Sequence, residues 1–213
     1  MNDKRTRSHE ILCSAWLDKS VAVMLVACSI YMTVGMIAER RGLPLVLLLA
    51  RLTIHNGLLL VRKTPKKITL SPLYWLVAIS GGYWDLIYAF FRDWKSVSLC
   101  AGWFTDGLSL VAALFYLWAR LSLGRSFGMV PADRGIKTGG AYRLVRHPIY
   151  TAGYVAGLAY VLGHFSTINI VILVSGMAII AFKAVLEERF LADNETYRSY
   201  MATVRYRFLP LVA

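Results

Sequence analysis

The sequence predicts an all-α integral membrane protein with about six transmembrane segments. The last two segments are expected to form a tight helical hairpin, followed by an amphipathic C-terminal helix. Two observations carry this. Of the 213 residues 57% are hydrophobic and only 17% charged, with a mean hydropathy of +0.54, whereas soluble domains run about 45–50% apolar and about 25% charged. The charges also gather between long apolar stretches rather than alternating through them.

A membrane helix takes about 20 predominantly apolar residues, and the chain offers such stretches in order. They run from Trp16 to Ala38, Leu43 to Val61, Leu73 to Phe91 and Val97 to Leu121. A polar, Gly-rich loop from Ser122 to Arg146 follows. Two further apolar stretches, Ile149 to Gly163 and Thr167 to Leu186, are separated only by His164, Phe165 and Ser166, which forces an antiparallel hairpin. The tail from Glu187 to Val204 is amphipathic and ends near Pro210. The whole reads as a single membrane domain, with residues 1–121 as N-terminal segments and 122–213 as loop, hairpin and tail.

The basic start MNDKRTRSHE leads into a stretch of full membrane length, so a retained first span is expected rather than a cleaved signal. Asn2 and the C-terminal LPLVA carry no lipidation pattern. Cys13, Cys28 and Cys100 lack metal-site or disulfide-framework spacing and read as small apolar fillers, so no metal is expected.

Positive charge sets the orientation. Lys4, Arg5, Arg7, Lys19, Arg62, Lys63, Lys66 and Lys67, the six basic residues from Arg120 to Arg146, and the tail fall on one side. Only Arg40, Arg41, Arg92 and Lys95 oppose them, so both termini are expected in the cytoplasm. Trp75, Trp84, Trp94, Trp103 and Trp118 lie toward segment ends, as interfacial belts require. The net charge of +12 is dispersed between apolar segments, which excludes a nucleic-acid face and points to anionic lipid headgroups.

Small residues suggest close packing in the hairpin. Gly153 and Gly157 form a GxxxG pair beside Ala152 and Ala156, opposite Ser175, Gly176 and Ala178. Pro148 suits the first turn of a helix. Counted from the tip, Arg143, Arg146 and His147 on one leg should meet Glu187 and Glu188 on the other. That juxtaposition fits either a salt bridge closing the hairpin or a ligand site. Arg51, His55, Asp85 and Asp106 lie inside other segments. They fit mutual pairing, such as Arg51 with Asp106, or the polar wall of a substrate tunnel. His164 at the tip reads as solvated. Gly124 to Gly128 lacks P-loop spacing.

Gly140, Tyr142-Arg143, Arg146-His147-Pro148, Tyr150 and Gly153 resemble the G-x-Y-R-x-x-R-H-P-x-Y-x-x-G stretch of the isoprenylcysteine carboxyl methyltransferase family, which is related to phospholipid methyltransferases. Glu187-Glu188 with Leu191, Tyr197, Tyr200 and Pro210 is similar to that family's second block. The resemblance covers about Leu121 to Pro210. It implies an integral membrane methyltransferase using S-adenosylmethionine and acting on a lipophilic acceptor, with O-methyl transfer to an isoprenylcysteine-type carboxylate first. It further implies Arg146, His147, Pro148, Tyr150, Gly153, Glu187, Glu188, Tyr197 and Tyr200 as cofactor-binding residues. Arg205, Arg207 and Glu187 would be the catalytic set, and Phe127 a cover over the site. A phospholipid or small-thiol methyltransferase, an NADPH-dependent reductase and a small transporter are the alternatives.

Overall fold

The computed structural model describes residues 15–38, 42–63, 65, 67–91 and 95–209. Cys13, Arg40, Arg41, Lys66, Arg92, Trp94, Pro210 and the basic N-terminus lie outside the described residues. Among the described residues eight α-helices run in order: α1 (Ala15–Ala38), α2 (Leu43–Leu59), α3 (Pro72–Tyr83), α4 (Leu86–Phe90), α5 (Gly102–Leu123), α6 (Pro148–Gly163), α7 (Thr167–Leu191) and α8 (Glu195–Thr203). Pro44, Pro72 and Pro148 each sit in the first turn of a helix, where a missing N–H costs nothing.

The helical class holds, but six spans do not form among the described residues. Two helices, over Gly102–Ser126 and Thr167–Leu191, are long and apolar enough to cross a membrane. Helix α6 has 16 residues, so it rises about 24 Å, short of a hydrocarbon core of about 30 Å. Helix α2 has 17 residues and is short for the same reason. The expected third span is broken into α3 and α4. Gly81 and Gly82 weaken that helix, and beyond them Asp85 is ion-paired to Arg51 while the Trp84 indole donates to the Ile172 carbonyl at 2.8 Å.

The hairpin forms as expected, yet its packing differs. Helix α6 lies more extensively against α5 than against α7, and α7 takes α3 as a neighbour. Of the small residues, Gly157 faces Leu173 on α7, but Gly153 faces the Arg51 guanidinium and Gly176 faces the Trp84 ring. The glycines therefore admit long side chains from the other helices more than they bring two backbones together. Trp84 is accordingly an internal packing residue, whereas Trp103 is 78% exposed. At the tip, His164 is not merely solvated: it stacks on Tyr160 at 4.6 Å, and its carbonyl accepts from Asn169 Nδ2 at 2.6 Å.

The core at this end is Leu45, Leu48, Leu49, Tyr88, Tyr160, Val161 and Ile172. Leu110, Val111, Leu114 and Leu121 on α5, and Val171, Val174 and Met177 on α7, face outward. An apolar outer surface on the two long helices suits lipid better than water.

At the opposite end, two features were not foreseen. The segment 124–139 is a roof stitched to the α2–α3 connection. Strand β1 (Lys67–Ile68) pairs antiparallel with β2 (Ala132–Asp133). Lys63 N–H donates to the Arg125 carbonyl at 2.8 Å, and Arg134 Nε donates to the Lys63 carbonyl at 3.0 Å. The tail is also not one helix from Glu187. Helix α7 continues through Leu191, and α8 starts afresh at Glu195 with Asn194 Oδ1 capping the Thr196 N–H at 2.9 Å.

Gly140 opens the 3₁₀ turn Gly140–Arg143 at φ +60, with the Ser122 side chain against its α-carbon. A side chain there meets both a left-handed backbone and Ser122. Gly140→Ala is expected to lower stability by about 1–3 kcal/mol, read as a drop in thermal unfolding temperature in detergent, whereas Gly139→Ala in open space should change it little.

Candidate active site

The stretch Arg146–Thr151 is held from the C-terminal side by an extended strap. Arg146 N–H donates to the Tyr206 carbonyl at 2.8 Å, and His147 N–H to the Arg207 carbonyl at 2.9 Å. Thr151 Oγ1 donates to the Phe208 carbonyl at 2.6 Å. The Phe208 ring lies 5.8 Å from His147 and 5.2 Å from Tyr154. Helix α6, its entry loop and the chain's end are thus one structural piece.

Glu188, on the last turns of α7, is where this piece meets the other hairpin leg. Its Oε1 accepts from His147 Nε2 at 3.1 Å and lies 3.4 Å from Arg146 Nε. Its Oε2 accepts from Arg207 Nε at 3.1 Å and Nη2 at 3.0 Å. The carboxylate is buried and surrounded by these donors. Glu187, one residue back, faces differently: its Oε1 accepts from the Tyr150 hydroxyl at 2.6 Å, and its Oε2 lies 3.9 Å from His147 Nδ1. The His147 and Tyr150 rings are stacked, nearly parallel, at 5.3 Å.

Between these residues, the roof and α8 lies a cavity of roughly 910 Å³ including its open mouth. Arg146, His147, Tyr150, Glu187, Tyr197 and Tyr200 line it. Glu188, Pro148, Gly153, Arg205 and Arg207 do not. Glu188 and Arg207 stand behind the wall and fix His147 and Arg146. Arg205 contributes its carbonyl, which accepts from Arg146 Nη2 at 3.1 Å. Pro148 starts α6, and Gly153 lines a second cavity deeper between the helices. Arg143 is exposed and belongs to neither.

Several lining residues were given no site role from the sequence, Tyr142 of the motif among them. Tyr142 is buried in the wall, with its carbonyl accepting from the Tyr200 hydroxyl at 2.8 Å. Burial pushes the hydroxyls of Tyr142, Tyr197 and Tyr200 well above their usual value, so all three stay neutral donors at physiological pH. Val130, Ile136 and Lys137 come from the roof, and Lys183 from α7. Only Gly128 and Gly135 hinted at a shaped loop: a side chain at Gly128 would strike the Arg134 guanidinium. Phe127, the suggested cover, is a buried lining residue.

The polar residues inside the bundle resolve differently from the pairing suggested by sequence. Arg51 pairs with Asp85, not Asp106. Arg120 is not an interfacial cation: it is buried, donating through Nε to the Tyr116 hydroxyl at 2.9 Å and through Nη2 to His55 Nδ1, with its guanidinium 3.5 Å over the Phe127 ring.

A family model described as phospholipid methyltransferase matches residues 101–198, just under half of the chain. It spans α5, the roof, the hairpin and the start of α8. Arg146, His147, Tyr150, Glu187, Glu188 and Tyr197 fall inside it, while Tyr200, the strap 205–208 and all of α1–α4 fall outside. No curated protein matches the chain.

Removing the Glu188 charge leaves buried donors without their acceptor. Glu188→Gln is expected to cost about 1–3 kcal/mol and to free the strap, so that limited trypsin digestion in detergent cuts early at Arg205 or Arg207. Arg207→Gln, whose side chain is 42% exposed, should cost less than about 1 kcal/mol.

Proposed function

We propose that this chain is a membrane methyltransferase that uses S-adenosylmethionine and acts on a lipophilic acceptor, with an isoprenylcysteine-type carboxylate as the first candidate. The carrying observation is the cavity at the mouth of the hairpin, walled by His147, Tyr150 and Glu187. The match to phospholipid methyltransferases over the same segments supports a methyltransferase.

The residues present fit the cofactor's chemistry. Glu187 keeps Oε2 free of hydrogen bonds among the described residues and would accept from a ribose hydroxyl or the ammonium group. Arg146 and Lys137 carry positive charge to the cavity wall for the carboxylate. Leu123, Val130, Ile136 and Leu191 supply apolar wall for an aromatic base. S-adenosylmethionine supplies an electrophilic methyl: one bond from carbon to the acceptor forms as the carbon–sulfur bond breaks, its electron pair staying on sulfur.

The chain's own contribution is alignment and exclusion of water, since charge is neutralised in such a displacement. Glu188 acts from behind, holding His147 and Arg146 in place; it is a positioning residue. A carboxylate acceptor needs no base. The second reading is a phospholipid amine acceptor, favoured by the description of the matching family. There Glu187, on the cavity wall, would take the proton.

Calorimetry of the detergent-solubilised chain tests this. S-adenosylhomocysteine should bind and NADPH should not. His147→Ala and Glu187→Gln should each weaken S-adenosylhomocysteine at least tenfold, about 1.4 kcal/mol. A wild-type chain that binds neither S-adenosylmethionine nor S-adenosylhomocysteine refutes the assignment.

A further inference from the structure

A second cavity lies deeper in the bundle, and it shares His55, Ile149, Tyr150 and Lys183 with the first. Its remaining lining includes Arg51, Asp85, Tyr116 and Gly153, with Gly81 and Gly82 where α3 ends. The two cavities are therefore adjoining chambers with a common wall. The deeper one draws its residues from α2, α3, the α3–α4 junction, α5, α6 and α7.

Most of the deeper chamber's polar groups are already satisfied. The Arg51 guanidinium pairs with Asp85, whose charge is thereby taken up. The Tyr150 hydroxyl donates to Glu187, and the Tyr116 hydroxyl donates to the Arg51 carbonyl at 3.3 Å while accepting from Arg120. Two groups are left over.

The first is His55. Arg120 Nη2 is a donor only, since a guanidinium cannot accept, so its hydrogen bond to His55 requires a lone pair on Nδ1. The ring proton must therefore sit on Nε2. That Nε2–H is buried and has no hydrogen-bond partner among the described residues. An unsatisfied buried donor costs about 1–3 kcal/mol and calls for an acceptor. The same logic denies His55 the role of general base at Nε2.

The second is Lys183. It is buried, and its ammonium donates to the Ala78 carbonyl at 3.4 Å and lies 5.5 Å from the Tyr150 ring centroid. An ammonium has three donors, so its capacity is largely unused. With Arg51 matched by Asp85 and Glu187 facing the adjoining cavity, Lys183 is a cation with no carboxylate partner among this chamber's lining residues, and Arg120 lies behind His55.

We infer that the deeper chamber is the acceptor-head subsite, in which His55 Nε2–H and the Lys183 ammonium hold an anionic oxygen group, carboxylate or phosphodiester, of a lipophilic acceptor. This rests on the methyltransferase reading for the identity of the ligand as an acceptor. Two donors and no free carboxylate suit lone pairs on oxygen and disfavour a cationic amine at this depth. A carboxylate held there is itself the nucleophile. A phospholipid would place its phosphodiester there and its amine elsewhere.

Binding to the full chain in detergent tests the subsite without requiring turnover. The probes are N-acetyl-S-farnesylcysteine, its uncharged carboxamide, and short-chain phosphatidylethanolamine, with S-adenosylhomocysteine measured in parallel. The acid should bind at least tenfold tighter than the carboxamide. His55→Phe and Lys183→Met should each reduce that preference to less than threefold, and Lys183→Arg should retain it. Tight binding of phosphatidylethanolamine with the same dependence on His55 and Lys183 supports the subsite and identifies the anion as a phosphodiester. Equal binding of acid and carboxamide by the wild-type chain, together with phosphatidylethanolamine binding that does not depend on His55 and Lys183, overturns the inference, as does an acid preference that survives both substitutions. If S-adenosylhomocysteine fails to bind while the acid preference holds, the methyltransferase reading falls and the anion subsite stands. If S-adenosylhomocysteine binds while neither the acid preference nor His55- and Lys183-dependent phosphatidylethanolamine binding is seen, the reverse is true.

Discussion

The structure depends on one buried carboxylate. Glu188 receives His147 from the entry of α6, Arg146 from the same loop, and Arg207 from the strap at the end of the chain. Two separate segments, the entry loop of α6 and the strap, are thereby fixed to the last turns of α7. Removal of a charge from water is costly unless it is fully partnered, and here the partnering is what brings the segments together. The residue beside it, Glu187, is turned toward the cavity because the Tyr150 hydroxyl claims one of its oxygens. Adjacent positions on one helix thus divide the labour: Glu188 builds the wall and Glu187 presents a polar face through it.

The roof is the second dependency. Residues 124–139 would be a solvated loop without the α2–α3 connection, whose backbone groups pair with Arg125, Arg134 and β2. The Asp133 carboxylate reaches further, accepting from Asn194 Nδ2 at 3.3 Å and from Gly135 N–H at 2.9 Å. The roof is therefore tied at both ends, to the N-terminal helices and to the start of α8. A cavity enclosed by tied segments presents fixed walls to its occupant, the arrangement an in-line displacement requires.

Part of this was legible residue by residue. Roughly similar distance from the hairpin tip brought His147 and the Glu187–Glu188 pair together, and counting along an antiparallel pair reaches that far because the connection has only three residues. The same count could not tell which of Glu187 and Glu188 faces the cavity, since that depends on the rotation of α7. The small-residue pattern on α6 was read as a helix–helix seam, but Gly153 and Gly176 admit Arg51 and Trp84 instead. Small residues mark where something approaches closely; they do not name what approaches. Likewise Arg120, at the end of an apolar run, is interfacial by position and buried in fact, because His55, Tyr116 and Phe127 supply its partners.

Composition and apolar patterning by themselves determined a helical chain suited to lipid, the hairpin, and the meeting of a basic block with an acidic one, because these follow from local sequence and short connections. The number of helices long enough to span was decided only in three dimensions, where the pairing of Asp85 with Arg51 accompanies the break between α3 and α4. So was the roof, which needs backbone partners some 60 residues earlier in the chain. So, too, was the proton on His55 Nε2, set by an arginine 65 residues away. Long-range pairing leaves no periodicity in the sequence. Between Arg143 and Gly153, local order supplied the residues, and the fold decided that Arg146, His147 and Tyr150 line the first cavity.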